Sequence, residues 1–243
     1  MRVLSIGNSF SQDAHRWLHD LAKANGKDIY AANLYIGGCS LFQHWANVEQ
    51  DAESYDYEIN GQAPLKRISV KSALADGKWD VVTIQQASPF SGMEETYYPF
   101  ADKLVDLIKQ MQPDAEIYFH QTWSYEMDSD LGAFAEYHFD RREMFDRIKA
   151  ASENAAKRLG IKLIPVGTVI QYLRENEPVF DYKNGGFSLN RDGFHLTFDF
   201  GRYTAAAVWF CTLTGEQIAS VEIENFDIDI LEKIVCAVHK NLF

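Results

Sequence analysis

The stretch VLSIGNSFS, from Val3 to Ser11, decides how the beginning of this chain is interpreted. An apolar run ends at Gly7, and Ser9 follows two positions later. Short apolar runs with β-branched residues are typical of buried strands, so we predict a first strand over residues 2–7. Apolar residues at helical spacing over 12–26 predict a helix next. Ser9 is therefore either a cap of that helix or a nucleophile, and on this stretch alone capping is the commoner role.

The rest of the chain alternates between strand-like and helix-like segments. Strand-like segments cover residues 2–7, 28–38, 79–86, 116–123 and 161–167. Helical spacing of apolar residues occurs over 12–26, 98–113, 134–159 and beyond His195. Such alternation is typical of a mostly parallel sheet with helices on both faces. We predict an α/β fold, a three-layer α/β/α sandwich of the flavodoxin-like kind with a five-stranded, mostly parallel sheet.

Residues 51–76 interrupt this alternation. Asn60 and Gly61 stand between two β-capable runs, a pattern typical of a two-residue hairpin turn. A short helix is expected to follow over 71–75. Because no Ser/Gly-rich linker or repeat occurs in the sequence, we predict one domain over 1–243 with a hairpin-containing insertion over 51–76.

The composition indicates a globular protein with an acidic surface. Of its 243 residues, 47% are hydrophobic and 24% charged, and 23 basic against 35 acidic residues leave a formal charge of −12. This excess argues against nucleic-acid binding, which needs a basic face, and against adhesion to anionic membranes. No apolar run approaches the roughly 20 residues of a membrane span. No export signal follows Met1, so the cytoplasm is the expected location of the chain as written, and export is expected if a leader was removed.

Polar residues follow each predicted strand, where the ligands of open parallel sheets bind. They are Asn8 and Ser9, then Gly38 and Cys39, then Gln85, Gln86 and Ser88, then Thr122, Trp123 and Tyr125, and finally Asp192 and His195. Asp192 precedes His195 by three residues on a turn with a glycine. A carboxylate so placed can accept the Nδ1–H bond and leave Nε2 as a general base. The alternative is that Asp192 caps a helix and His195 is a surface residue.

Metal and nucleotide sites lack support in the sequence. His15 and His19 are four residues apart on the first predicted helix, but Arg16 stands where a zinc-protease helix has glutamate. We expect these histidines on an exposed helical face. The sequence contains no GxGxxG motif after the first strand and no P-loop lysine. The three cysteines, Cys39, Cys211 and Cys236, are widely spaced and form no disulfide or zinc pattern.

Together these motifs resemble the SGNH hydrolase superfamily, the GDSL-type esterases and lipases. Its Gly-Asp-Ser block after the first strand is matched by Gly7-Asn8-Ser9, and its glycine after the second strand by Gly37-Gly38. Its C-terminal Asp-x-x-His block is matched by Asp192 and His195. The stretch IQQASPFSG, residues 84–92, with the predicted hairpin also resembles a bacterial branch of that superfamily, the DUF4886-type proteins.

The resemblance implies a serine esterase that needs no metal or organic cofactor. It implies that Ser9 is the nucleophile, that His195 is the general base and that Asp192 orients the imidazole. It also implies an oxyanion hole made by the N–H groups of Ser9 and Gly38.

The third block of the superfamily, Gly-x-Asn-Asp, is missing from this chain. Its asparagine normally donates to the oxyanion. Gln85 and Gln86 stand at the end of the third predicted strand, and a glutamine amide offers the same N–H donor from a longer arm. Because adjacent strand residues point to opposite faces, only one of the two is expected to reach the site.

Aromatic residues at the expected active edge suggest a substrate class. Trp123, Tyr125 and Phe90 would suit a sugar ring, although aromatic side chains also simply pack loops. Many superfamily members deacetylate carbohydrates, so a small acyl group, acetyl, on a small-molecule or glycan ester is the first hypothesis. The alternatives are a short-chain acyl ester or thioester hydrolase and a non-catalytic carbohydrate-binding protein. The oligomeric state stays open.

Overall fold

A mixed sheet of seven strands forms the centre of the computed structural model, which describes residues 1–64, 66–221, 223 and 225–243. Its strands are β1 (Arg2–Gly7), β2 (Tyr30–Tyr35), β3 (Tyr55–Ile59), β4 (Lys66–Ile68), β5 (Val81–Ile84), β6 (Glu116–His120) and β7 (Lys162–Ile164). They lie in the order β4-β3-β2-β1-β5-β6-β7. The pairs β1–β2, β1–β5, β5–β6 and β6–β7 are parallel.

The predicted number of five strands is wrong, because the hairpin joins the sheet. Strand β3 pairs antiparallel with β2, and β4 pairs antiparallel with β3. Tyr55 and Tyr57 are buried, so this edge has an apolar face to place on the core. Asn60 and Gly61 take the left-handed conformation, with φ of 51° and 67°, as expected for the turn. That 51–76 is an insertion within a single domain stays a prediction.

Helices cover both faces of the sheet, which confirms the predicted α/β/α sandwich. They are α1 (Ser9–His15), α2 (Leu18–Ala24), α3 (Leu41–Gln50), α4 (Val70–Leu74), α5 (Phe100–Met111), α6 (Arg141–Leu159), α7 (Val166–Asn176), α8 (Phe200–Thr214) and α9 (Ile228–Leu242). Helices α1, α2, α7, α8 and α9 pack on one face, with Val3 of β1 in their core. Helices α3, α4 and α5 and the second half of α6 pack on the other, with Leu4 and Ile6. None of the helices in the described ranges is long and apolar enough to cross a membrane.

The strand order positions a crevice at one edge of the sheet. The parallel strands lie in the order β2-β1-β5-β6-β7. The chain passes from β1 to β2 on one side of β1 and later returns to place β5 on its other side. In doubly wound sheets of this order, ligands bind where the direction reverses, beyond the carboxyl ends of the two central strands. Here those ends are followed by Asn8 and Ser9 after β1 and by Gln85 after β5.

Candidate active site

Ser9, His195 and Asp192 form a hydrogen-bonded chain at this edge. Ser9 Oγ lies 2.9 Å from Nε2 of His195 although the two residues are 186 positions apart. Nδ1 of the same imidazole lies 2.8 Å from Oδ2 of Asp192. The structure therefore brings together the three residues that the two ends of the sequence contribute.

Asp192 holds the imidazole through both carboxylate oxygens. Oδ1 accepts the backbone N–H groups of Phe194 at 3.3 Å and of His195 at 2.7 Å. Partial burial raises the pKa of Asp192, but the hydrogen bonds from the ring and backbone of His195 outweigh this, and its pKa is lowered. An ionised carboxylate at Nδ1 favours the tautomer whose Nε2 accepts a proton. The ring of Phe194 packs against the imidazole, with 3.8 Å between ring centroids.

Asn8 and Ser11, rather than Ser9, cap the N-terminus of α1. Asn8 is the N-cap of α1, since its Oδ1 accepts the N–H of Phe10 at 3.0 Å and its own N–H donates to Ser11 Oγ at 3.1 Å. A Cβ on Gly7 would lie 2.1 Å from Ser11 Oγ, so only glycine allows this close approach. Ser9 is thus the first residue of the helix, with a hydroxyl that the cap does not use.

Asp13 links α1, the helix that carries Ser9, to the segment that carries His195. Its carboxylate is fully buried and accepts the backbone N–H of Leu196 at 2.9 Å. It also accepts from Arg191 Nη1 at 3.2 Å and from Arg202 Nε at 2.7 Å. Asp13 is not among the site residues predicted from the sequence. The available signal was an acidic residue three positions after Phe10, on the apolar face of a helix.

A cavity of about 310 Å³ opens in front of Ser9. Asn8 Nδ2 donates to Cys39 O at 3.1 Å and so fixes the loop after β2 beside the serine turn. Gly38 in that loop has a φ of 65°, a left-handed conformation that glycine adopts without strain. The cavity is lined by the apolar residues Phe10, Pro89, Leu131, Ala133 and Phe194, by Gly37 and Gly38, and by the polar residues Asn8, Ser9, Tyr35, Ser88, Tyr125 and His195.

The structure brings neither Gln85 nor Gln86 to this cavity. Gln85 Nε2 donates to Asn8 Oδ1 at 2.6 Å, and Gln85 Oε1 lies 2.7 Å from His120 Nδ1. Gln86 Nε2 donates to Thr96 Oγ1 at 3.0 Å, and its Oε1 accepts two backbone N–H groups. Both amides are buried and hold neighbouring turns in place.

Of the three aromatic residues predicted to bind substrate, only Tyr125 lines the cavity. Trp123 is buried beneath it, stacked on Phe10 with 4.1 Å between ring centroids. Its Nε1 donates to Phe194 O at 2.7 Å, so it supports the loop of the imidazole. Phe90 is exposed outside the cavity.

The expectation that His15 lies on an exposed face is wrong. His15 is buried with its Nε2 2.8 Å from Ser5 Oγ, and burial lowers its pKa to about 3. His19 instead places Nδ1 2.8 Å from Ile29 O. Within the described ranges, no three His, Cys, Asp or Glu residues are grouped to hold a metal ion.

Comparison with known proteins places this architecture in a family. A family model for a domain of unknown function, DUF4886, matches residues 2–236. The chain belongs to the DUF4886 family. A DUF4886 family protein from Bacteroides uniformis is 36% identical and has a TM-score of 0.91, covering 99% of this chain and 93% of that one. The predicted resemblance to this branch is confirmed.

The present DUF4886 protein shares its fold with SGNH hydrolases. A candidate SGNH hydrolase from Slackia heliotrinireducens is 23% identical with a TM-score of 0.59, over 88% of this chain and 98% of that one. An acetylxylan esterase from Geobacillus stearothermophilus is 15% identical with a TM-score of 0.56, over 90% of this chain and 96% of that one. At such identities the likeness concerns the fold. Among curated proteins, none matches the chain.

Proposed function

We propose that this DUF4886 protein is a serine hydrolase of ester bonds with Ser9 as nucleophile, His195 as general base and Asp192 as its orienting carboxylate. The observation that carries the proposal is the chain of 2.9 Å and 2.8 Å contacts from Ser9 through His195 to Asp192. A serine hydroxyl is a weak nucleophile unless a base accepts its proton, and this geometry supplies the base. The cavity of about 310 Å³ gives an ester access to the hydroxyl.

The reaction proceeds in two acyl-transfer steps. Ser9 Oγ attacks the ester carbonyl carbon while its proton moves to Nε2 of His195. The tetrahedral intermediate breaks its bond to the alkoxy oxygen, which leaves as the alcohol with that proton. A water molecule then gives a proton to His195 and attacks the acyl group on Ser9. Collapse returns the proton to Ser9 Oγ and releases the carboxylic acid.

The backbone N–H groups of Ser9 and Gly38 are the proposed oxyanion donors. Ser9 begins α1, where N–H groups have no partner within the helix and the helix dipole favours negative charge. Gly38 lines the same cavity. One preorganised donor is worth about 3 kcal/mol of transition-state stabilisation. Gln85 and Gln86 hold the surrounding turns in this scheme and do not donate to the oxyanion.

The first candidate substrate is an acetyl ester of a carbohydrate. The likeness in fold to an acetylxylan esterase supports it. The second candidate is a short-chain acyl ester or thioester without a sugar. The apolar lining by Phe10, Leu131 and Phe194 favours that class, because these side chains offer a sugar no hydrogen bonds.

Hydrolysis of p-nitrophenyl acetate by the wild type, Ser9→Ala and His195→Ala tests the proposal. We expect both variants to lose about 10³-fold or more in kcat, as removal of a nucleophile or base does in serine hydrolases. Ser152→Ala is the matched control, because Ser152 is buried in α6 and bonds Gln121. Equal background rates in wild type, Ser9→Ala and His195→Ala would contradict the esterase proposal and leave the non-catalytic alternative. Acetylated xylo-oligosaccharides against p-nitrophenyl butyrate then separate the two substrate classes.

A further inference from the structure

Two hydroxyl groups meet at the wall of the cavity in front of Ser9. Ser88 Oγ and Tyr125 OH lie 3.0 Å apart, and both residues line the cavity together with Ser9 and Gly38. Neither hydroxyl has a second hydrogen bond to any residue in the described ranges. Ser88 follows β5, at the crevice where ligands of this sheet order bind.

The two hydroxyl groups have one O–H more than their mutual hydrogen bond uses. Each hydroxyl carries one proton, and their mutual hydrogen bond uses one of the two. Tyr125 is fully buried, whereas Ser88 keeps 7% of its surface exposed. A buried O–H without an acceptor costs the full desolvation of that group, so we assign the Tyr125 O–H as the donor and Ser88 Oγ as the acceptor of this hydrogen bond. The proton of Ser88 then points to an acceptor outside the pair.

The surroundings keep both hydroxyls in place and protonated. Ser91 Oγ donates to Ser88 O at 2.8 Å, and Tyr137 OH donates to Pro89 O at 3.1 Å, so the turn that carries Ser88 is held at two points. Burial raises the pKa of Tyr125 to about 12, against the opposing effect of its bond to Ser88, so the phenol stays neutral. A donated phenol proton also polarises the Ser88 hydroxyl and strengthens it as a donor.

We infer that the Ser88 hydroxyl, oriented by Tyr125, donates a hydrogen bond to the carbonyl oxygen of the bound ester and to the oxyanion formed from it. The inference rests on the proposed function. Ser88 would touch the reacting atoms, whereas Tyr125 acts through Ser88 as a positioning residue. The pair would supply a side-chain donor at the reacting carbonyl, the role that the amides of Gln85 and Gln86 do not fill.

The inference is tested by the steady-state hydrolysis of p-nitrophenyl acetate. The variants to compare are Ser88→Ala, Ser88→Cys, Ser88→Thr, Tyr125→Phe and the double variant Ser88→Ala/Tyr125→Phe. Loss of the Ser88 hydroxyl is expected to lower kcat about 100-fold or more with KM within about twofold, because the bond strengthens as negative charge develops. Ser88→Thr keeps the hydroxyl and is expected to restore most of kcat. Tyr125→Phe should lower kcat less, and the double variant should be no slower than Ser88→Ala, because Tyr125 acts through Ser88.

Matched controls separate this effect from folding. Ser152→Ala and Tyr203→Phe remove hydroxyls of buried residues that do not line the cavity, and both variants should keep the kcat of the wild type. Ser88→Cys keeps the size of the side chain and serves if Ser88→Ala does not fold. An unchanged kcat, or a raised KM with unchanged kcat, in Ser88→Cys or Ser88→Ala would overturn the inference, because the hydroxyl would then add nothing to the transition state beyond what it adds to the bound substrate. Full activity in Ser9→Ala would overturn the proposed function itself, independently of Ser88.

Discussion

At the scale of the residue, Asn8 connects three parts of the candidate site. Its Oδ1 accepts the N–H of Phe10 and the amide of Gln85, and its Nδ2 donates to Cys39 O. An aspartate, the residue that the SGNH motif has at this position, could accept both hydrogen bonds but could not donate to a carbonyl oxygen. The exchange of aspartate for asparagine therefore adds a bond between the serine turn and the loop after β2.

The bond from Gln85 to Asn8 leads to a prediction about positioning. In Gln85→Leu, Asn8 and His120 lose a buried partner, which is expected to lower the free energy of unfolding by about 1–3 kcal/mol. Because Asn8 sets the turn of Ser9, kcat on p-nitrophenyl acetate should also fall about tenfold, as small misplacements of reacting groups do.

Gln121→Leu is the matched control for this change. Gln121 is also a buried amide next to the end of β6, but it bonds Ser152 and Thr168, away from the cavity. We expect a similar loss of stability with kcat unchanged. If both leucine variants keep the kcat of the wild type, Gln85 has no positioning role.

At the scale of the element, α1 is held to the imidazole segment by one buried carboxylate. Asp13 accepts hydrogen bonds from Leu196, Arg191 and Arg202. Ser9 stands one turn earlier on the same helix, so the contact between helix and segment fixes the distance between Ser9 and His195. Packing of α1 against α8 supports the same arrangement, with His15 edge-on to Trp209 at 5.0 Å between ring centroids.

Asp13→Asn is expected to weaken this link. It removes the charge that neutralises two arginines in a buried setting, and such a loss costs about 3 kcal/mol of unfolding free energy. Thermal unfolding should show a lower Tm, and kcat should fall because Ser9 and His195 are held less closely. Asp20→Asn is the control, since Asp20 is half exposed and its ion pair with Arg16 is expected to contribute under about 1 kcal/mol. Equal Tm values for the two variants would contradict the role of Asp13.

At the scale of the whole molecule, a buried ion-pair network joins the loop after β6 to the segment that carries Asp192 and His195. Glu126 Oε1 accepts from Arg141 Nη1 at 2.5 Å, and its Oε2 accepts from Ser188 Oγ at 2.8 Å. The backbone N–H of Glu126 donates at 2.7 Å to the carbonyl oxygen of Gly193, the residue after Asp192. Arg174, also buried, bonds both Ser124 and Asn190. The segment that carries Asp192 and His195 is thereby held from α6 and α7 as well as from α1.

The network predicts acid-sensitive stability. Burial raises the pKa of Glu126, but Arg174 and Arg141 outweigh it and lower the pKa below its usual 4.5. A lowered carboxyl pKa stabilises the folded state above the unfolded pKa, and this contribution is lost as the pH falls through the folded pKa. Glu126→Gln should therefore unfold at a lower Tm than wild type at pH 7, with a gap that narrows below pH 4.5.

Glu116→Gln is the control for the pH dependence. Glu116 also has a lowered pKa, through its hydrogen bond to Lys162, but about half of its side chain is exposed. The substitution Glu116→Gln should therefore shift Tm little at any pH. A Tm gap for Glu126→Gln that stays constant from about pH 7 to about pH 3 would contradict the network's electrostatic role.

Local patterns in the sequence predicted the alternation of strands and helices, and the resemblance to SGNH hydrolases indicated Ser9, His195 and Asp192 as the candidate triad. Strand segments are recognisable because their burial on both faces requires continuous apolar runs, as in β1 and β5. The edge at which ligands bind follows from the parallel arrangement, so Ser9 and Asp192 with His195 could be expected to meet. The pairing of β3 with β2 could not be predicted from the sequence, because it depends on which strand of the folded sheet is left without a neighbour at its edge.

Only the tertiary structure decided where the polar side chains of the site point. Gln85 and Gln86 have the chemistry of oxyanion donors, but the long glutamine side chain reaches whichever partner the folded chain presents, here Asn8 and Thr96. The same holds for Trp123, which Phe10 covers, and for Asp13, whose arginine partners come from the far end of the chain. Sequence periodicity reports which face of an element is buried, whereas hydrogen-bond partners are set by contacts between residues far apart in the chain.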